Sequence, residues 1–154
     1  MDANLGLNLE TRATIARAAA GDLAAQRLMA ETNLKGRERA RAGGGRADYV
    51  GLEGLLWSRL AAAQGDESDA MRLVTALCAV AQDFGEQGEQ AAARNLGGEG
   101  IAVLRSLVAA GHEPAVRVFG ETAHELAPAL IQRSTTIIEE EVRAKADLVA
   151  QAKA

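Results

Sequence analysis

Glu121 and His124 have the best metal-ligand spacing in the chain: a Glu-x-x-His pair that, on a helix, sets a carboxylate and an imidazole on one face. Di-iron carboxylate bundles use two such pairs and two further glutamates. Here there is one pair, and the second histidine, His112, follows Gly111 in an expected turn with no matching Glu-x-x-His. With that ligand count the expectation is a polar helix face, with no metal and no cofactor.

The other chemistry-bearing residues read the same way. Cys78 is a single thiol among Leu73, Val74, Leu77 and Ala81. An activated thiolate needs a neighbouring histidine or cation, and the local sequence offers neither, so Cys78 is expected as a small hydrophobe in a helix interface. Gly43-Gly44-Gly45 and Gly97-Gly98-Glu99-Gly100 lack the Gly-Lys-Ser/Thr and the preceding strand of a phosphate loop. They read as linkers or broken helix turns. No catalytic residue is expected, and the chain does not read as an enzyme.

Lys35, Arg37, Arg39, Arg41 and Arg46, opposed by Glu38 alone, form a local basic stretch. Cations near a helix C-terminus complement its dipole, so a solvated helix end is one reading. Docking of an acidic partner is the other, and these five residues are the candidate partner-binding site. No aromatic is interleaved, as single-strand nucleic acid binding would require. The formal net charge of -4 and pI near 5.3 also argue against a general nucleic-acid binder.

The elements that would carry these residues are helices. Hydrophobic residues make up 48% of the chain but aromatics 3%, so alanine and leucine, strong helix formers, supply the apolar content. Pro114 and Pro128 are the two prolines, which leaves room for long helices. No apolar run approaches the ~20 residues that span a bilayer, and Met1–Asn8 lacks the pattern of a signal peptide. No membrane partner is expected. A single cysteine forms no internal disulfide and suits a reducing compartment. A cytoplasmic location is therefore expected.

An internal repeat organises the pattern. Ala25, Leu28 and Met29 recur 45 residues on as Ala70, Leu73 and Val74, then as Ala115, Val118 and Phe119, each on one face of a helix. Arg27, Arg72 and Arg117 keep the same step. Gly51 and Gly97, Gly54 and Gly100, and Arg59 and Arg105 are 46 apart. Each unit reads as helix A, a turn at Gly21, Gly65 or Gly111, then helix B. Glycine suits the left-handed position past a helix end. Asp22 and Asp66 fit as N-caps, and Pro114 fits a first helical turn.

The spacing predicts an all-α fold: a short α-solenoid of about three antiparallel helix pairs plus a C-terminal helix. The repeats cover residues 1–127 (about 9–40, 47–85 and 86–127), and a capping or assembly helix covers 128–154. Within them, helices are expected near 9–20, 23–40, 47–64, 67–84, 86–110 (weakened at 97–100), 113–127 and 128–152. A lone pair of short helices cannot bury its apolar face, whereas stacked pairs share a continuous core.

Trp57-Ser58-Arg59-Leu60-Ala61-Ala62-Ala63-Gln64-Gly65-Asp66, followed by Ala70 and Leu73, resembles the core of the Sel-one-like repeat, a relative of the tetratricopeptide repeat. Ala18 to Leu28 resembles the same core, and Val108 to Val118 is a more distant match. The Leu-Gly and Tyr pair usual in helix B is absent, and the units are longer than the family's. The resemblance implies an α-solenoid and an adaptor role without shared catalytic residues. It also makes Trp57 a packing residue.

Ile131, Thr135, Ile138, Val142, Lys145, Val149 and Ala152 alternate steps of four and three, a heptad seam weakened at Thr135 and Lys145. Glu139 and Arg143, like Glu141 and Lys145, stand four apart with the acid first, the favoured order. The expected function is a protein–protein interaction adaptor that takes another protein or a peptide on a concave face lined by the A helices. The alternative is a structural subunit that self-associates through the C-terminal helix.

Overall fold

The computed structural model of the protein describes residues 9–152, and the side chains of these except 123–131, 133–135 and 152. All described regular structure is helical: α1 (Leu9–Ala19), α2 (Leu23–Ala42), α3 (Asp48–Ala62), α4 (Glu67–Glu86), α5 (Gln90–Ala109) and α6 (Glu113–Ala152). The chain divides into two compact units, one ending at Ala115 and one beginning at Val116. In the first unit consecutive helices pack in chain order, α1 on α2 through to α4 on α5.

Local chemistry sets the turns. After α1, Gly21 adopts φ +96° and Asp22 N donates to Arg17 O at 3.0 Å; after α5, Gly111 adopts φ +79° and His112 N donates to Leu107 O at 3.0 Å. Both close their helices with the same left-handed motif, which suits glycine because no Cβ is present to clash. Asp22 then accepts from Ala25 N at 2.9 Å and Asp66 from Ser68 N at 2.7 Å, capping α2 and α4 as the sequence predicts. The fourth helix, expected to end near residue 84, runs on to Glu86: Gly85 stays helical and Gly88 takes the positive φ.

The core of this unit is three clusters. Ala18, Ala25, Met29, Ala30 and Trp57 tie α1 and α2 to α3. Leu55, Leu73, Ala76, Leu77 and Val80 join α3 to α4. Val74, Leu107 and Ala115 join α4 to α5 and the first turn of α6. Leu55, Leu77 and Val80 are fully buried, each contributing about 1.5–3 kcal/mol, so the middle cluster outweighs the alanine-rich first one. The first two repeated triplets mark these faces except at Leu28, which is half exposed, and of the third only Ala115 joins the core, Phe119 being exposed. Ala25, Gln26, Met29 and Ala30 share the buried face of α2, and Leu28 lies off it.

Glycine inside helices lets neighbours approach. A Cβ on Gly54 would meet Leu34 Cγ and Cδ2 at 3.0 Å, and one on Gly100 would meet Leu77 Cβ at 3.5 Å. The expected weakening of α5 at residues 97–100 is therefore absent. The helix is continuous because Gly100 is buried against α4. Gly97, the repeat counterpart of Gly51, has nothing within 4 Å, whereas Gly51 faces Val80 Cγ2 at 3.1 Å. The repeat holds at one glycine position and has diverged at the other.

The second unit is the remainder of α6. Where helices at 113–127 and 128–152 are expected, one helix runs from Glu113 to Ala152 across Pro128. Proline removes one backbone donor and strains the preceding turn, which bends a helix as readily as it ends one.

Candidate functional site

The basic stretch is largely occupied with structural work. Arg37 is buried, reaches Asp83 through both Nε and Nη2, and also donates to Ala79 O at 2.8 Å. Arg41 pairs with the same Asp83 and with Glu86 at 2.8 Å. Arg46 holds Asp48 at 2.6 Å and reaches Gln87 Oε1 at 3.3 Å, and its hydrogen bonds hold the Asp48 carboxyl below the usual range. Lys35 pairs with Glu31 at 2.6 Å on its own helix, and Arg39 donates to Lys35 O at 3.3 Å. Arg37 and Arg41 thus bind α2 to α4, and Arg46 ties the following loop to the start of α3 and to Gln87, just past α4. Beside them lies a recess of about 280 Å³, bordered by Arg41, Arg46, Asp83 and Glu86.

Those pairs belong to a wider set that links positions one repeat apart. Arg27 clasps buried Asp69 through Nε and Nη2, the latter at 2.6 Å, and touches Asp66 at 3.1 Å. Arg59 forks onto Glu99 at 2.7 and 2.6 Å, and this hydrogen bonding holds the Glu99 carboxyl below the usual Glu range. Gln64 bridges Gly21 O and Gln26 Oε1, and His112 Nδ1 lies 3.0 Å from Glu67 Oε2. Forked arginine–carboxylate pairs fix geometry as well as energy. Arg27 and Arg59 stand at positions the sequence repeats, whereas Arg72, the counterpart of Arg27, turns back to Asp69 on its own helix.

The other candidates fall as follows. Cys78 is exposed, a correction to its expected burial: Leu77 and Val74 take the buried face of α4, and Cys78 sits at its rim near Gly100. Trp57 is a core residue as predicted, with its Nε1 buried and unpartnered among the described residues, while Tyr49 is 83% exposed. Glu121 is exposed, and the His124 side chain lies outside the described residues. Among the described residues no group of three or more His, Cys, Asp or Glu side chains converges, and no helix is long and apolar enough to cross a membrane.

A larger concavity is a groove of about 710 Å³, within the size range of ligand sites. Its walls are α2 and α4, the second helices of their pairs, with Ser58 and Ala61 of α3 between them. The expected concave face of first helices is therefore not where this groove lies, because α3 forms its floor and not its walls. Half-buried Leu34 and Ala79 supply apolar surface, with buried Ala30, Ala61 and Ala76 beneath them. Arg27, Asp69 and Arg37 are fixed by the ladder. Around them stand Glu31, Lys35, Glu38 and Arg72. The side chains of Glu31, Lys35 and Arg72 are 61%, 64% and 65% exposed. The Glu31 carboxyl is held low by the Lys35 hydrogen bond and, more weakly, by the Arg72 charge.

This arrangement has the chemistry of recognition. Small buried side chains let the groove sink between the helices, and exposed ion pairs worth about 0–1 kcal/mol are readily exchanged for a partner's charges. The sequence carried no distinct signal for it, since an alanine at helical spacing reads the same in a core or in a groove.

In α6, Ile137, Ile138, Val142, Leu148 and Val149 are 47–65% exposed. Glu139, Glu141, Arg143 and Lys145 form no ion pair among the described residues, so the four-apart charge pairs of the sequence are not closed. Ile131, Thr135 and Ala152 of the heptad lie outside the described side chains.

No family model, no curated protein and no solved structure matches this chain.

Proposed function

We propose that this chain is a cytoplasmic, non-enzymatic adaptor, a short solenoid of Sel-one-like helix pairs that takes a peptide segment of another protein in the groove between α2 and α4. The groove carries the reading: an apolar floor of alanines and Leu34 with exchangeable charges at its edge. Chain-order packing and the ladder of pairs between residues 38–46 apart support stacked units, as does the shared Gly-Asp turn and cap. The groove-fixing arginines make a preorganised surface, which lowers the ordering cost of binding.

A displayed random-peptide library tests the proposal, selected on the native chain and counter-selected on Thr75→Trp, whose exposed position lines the groove. Peptides retained by the native chain and rejected by the variant support it. Peptides that bind both equally, or no enrichment at all, contradict it.

A second reading rests on a separate observation. The apolar residues exposed on α6 between Ile137 and Val149 fit a structural subunit that assembles through this helix, since large unpartnered apolar faces mark interaction surfaces.

A further inference from the structure

We infer that α6 pairs with α6 of a second copy, antiparallel, with Val142 opposite Lys145 of that copy. The inference rests on the assembly reading and adds the partner, the direction and the register.

The exposed residues Ile138, Val142 and Val149 stand in heptad core positions, with Lys145 in the same seam. Such a seam is buried when a second helix supplies facing holes. Lysine in the seam then decides direction. A parallel, in-register pair sets each position against itself and buries Lys145 against Lys145 of the copy, a like-charge contact that disfavours this arrangement. An antiparallel pair sets each core position against a different one.

Two antiparallel registers set Ile138 against a valine of the copy. With Ile138 opposite Val142 of the copy, the flanking Glu139 and Glu141 each fall beside their own counterparts, and acid faces acid on both sides. Shifting by one heptad puts Ile138 opposite Val149 and Val142 opposite Lys145. The two Glu141 carboxylates then move apart, and the Lys145 ammonium falls one step from Glu141 of the copy. Glu141 and Lys145 form no ion pair among the described residues, and both are exposed, which leaves their charges open to pairing across the interface. The lysine stem covers apolar surface while its head stays at the edge. Charge thus selects one of these three packings.

The test uses the full chain with Cys78→Ser as background and single cysteines at Ile138 or Val149, one of the two variants carrying a larger tag. Light scattering of the native chain reads association first: a dimer is expected, and Val142→Glu is expected to give a monomer of unchanged helix content. After mixing and mild oxidation, the 138–149 mixed disulfide is expected to dominate. Ile138→Cys alone is expected to cross-link poorly, because its two sulfurs stand about 16 Å apart along the pair in this register, beyond disulfide reach. A monomeric native chain overturns both the assembly reading and the inference. A dimer that cross-links at 138–138, or that survives Val142→Glu, overturns the inference alone.

Discussion

Gly54 and Gly98 occupy helix interiors in different surroundings, and replacing each by alanine separates propensity from packing. Alanine is favoured over glycine by about 1 kcal/mol in an exposed helix interior. Gly98 is exposed on α5 with nothing within 4 Å of a Cβ, so Gly98→Ala should add about 1 kcal/mol, or about 2–4 °C in Tm for a chain of this size. At Gly54 the same methyl would sit 3.0 Å from Leu34 Cγ and Cδ2 and 3.4 Å from Asn33 Cβ. Leu34 packs on the middle core cluster, so relief moves α2 away from α3. Overpacking of that kind costs about 1–3 kcal/mol, which outweighs the propensity gain and leaves a net loss of up to about 2 kcal/mol. Urea unfolding followed by circular dichroism reads both, as midpoint shifts of opposite sign at unchanged slope. If Gly54→Ala stabilises as much as Gly98→Ala, the close approach of α2 and α3 is wrong.

Arg37→Ala removes the main partner of buried Asp83 and should cost about 3–5 kcal/mol by leaving an undercompensated buried carboxylate; Arg39→Ala, on the exposed side of the same helix, should change stability by less than about 0.5 kcal/mol. Glu99 has its folded-state pKa depressed by the Arg59 hydrogen bonds, so its contribution is present above the unfolded Glu value and lost as pH falls through the lower folded value. Glu99→Gln should therefore lower stability near pH 7 by a few tenths to about 1 kcal/mol, discounted for solvent exposure, and the difference from the native chain should vanish in acid, as thermal melts across pH would record. Asp22→Ala should cost about 1 kcal/mol through loss of the α2 cap, while Asp22→Asn should retain most of it.

Much of the fold was legible in residue types whose physics is local. Gly21, Gly65 and Gly111 announced turns because a positive φ is costly for any side chain with a Cβ. Asp22 and Asp66 announced helix starts because a carboxylate satisfies orphan backbone donors. What escaped the sequence depended on neighbours. Gly100 looked like a weak point in a helix until Leu77 stood 3.5 Å from its missing Cβ. Arg37 and Arg41 looked like docking residues until Asp83, 46 and 42 positions away, was found between them. The groove was hidden because small residues at Ala61, Ala76 and Ala79 are compatible with either a packed core or an open floor. Helical periodicity records which face is apolar and not what lies against it.

The central claim is that the groove between α2 and α4 receives a peptide. Amide chemical shifts of the isotope-labelled chain, followed as the tightest library-selected peptide is added, test it most directly. The account predicts shifts concentrated at Leu34, Lys35, Ala61, Arg72, Thr75 and Ala79. Shifts confined to α6 between Ile137 and Val149, with the groove amides unmoved, would contradict it.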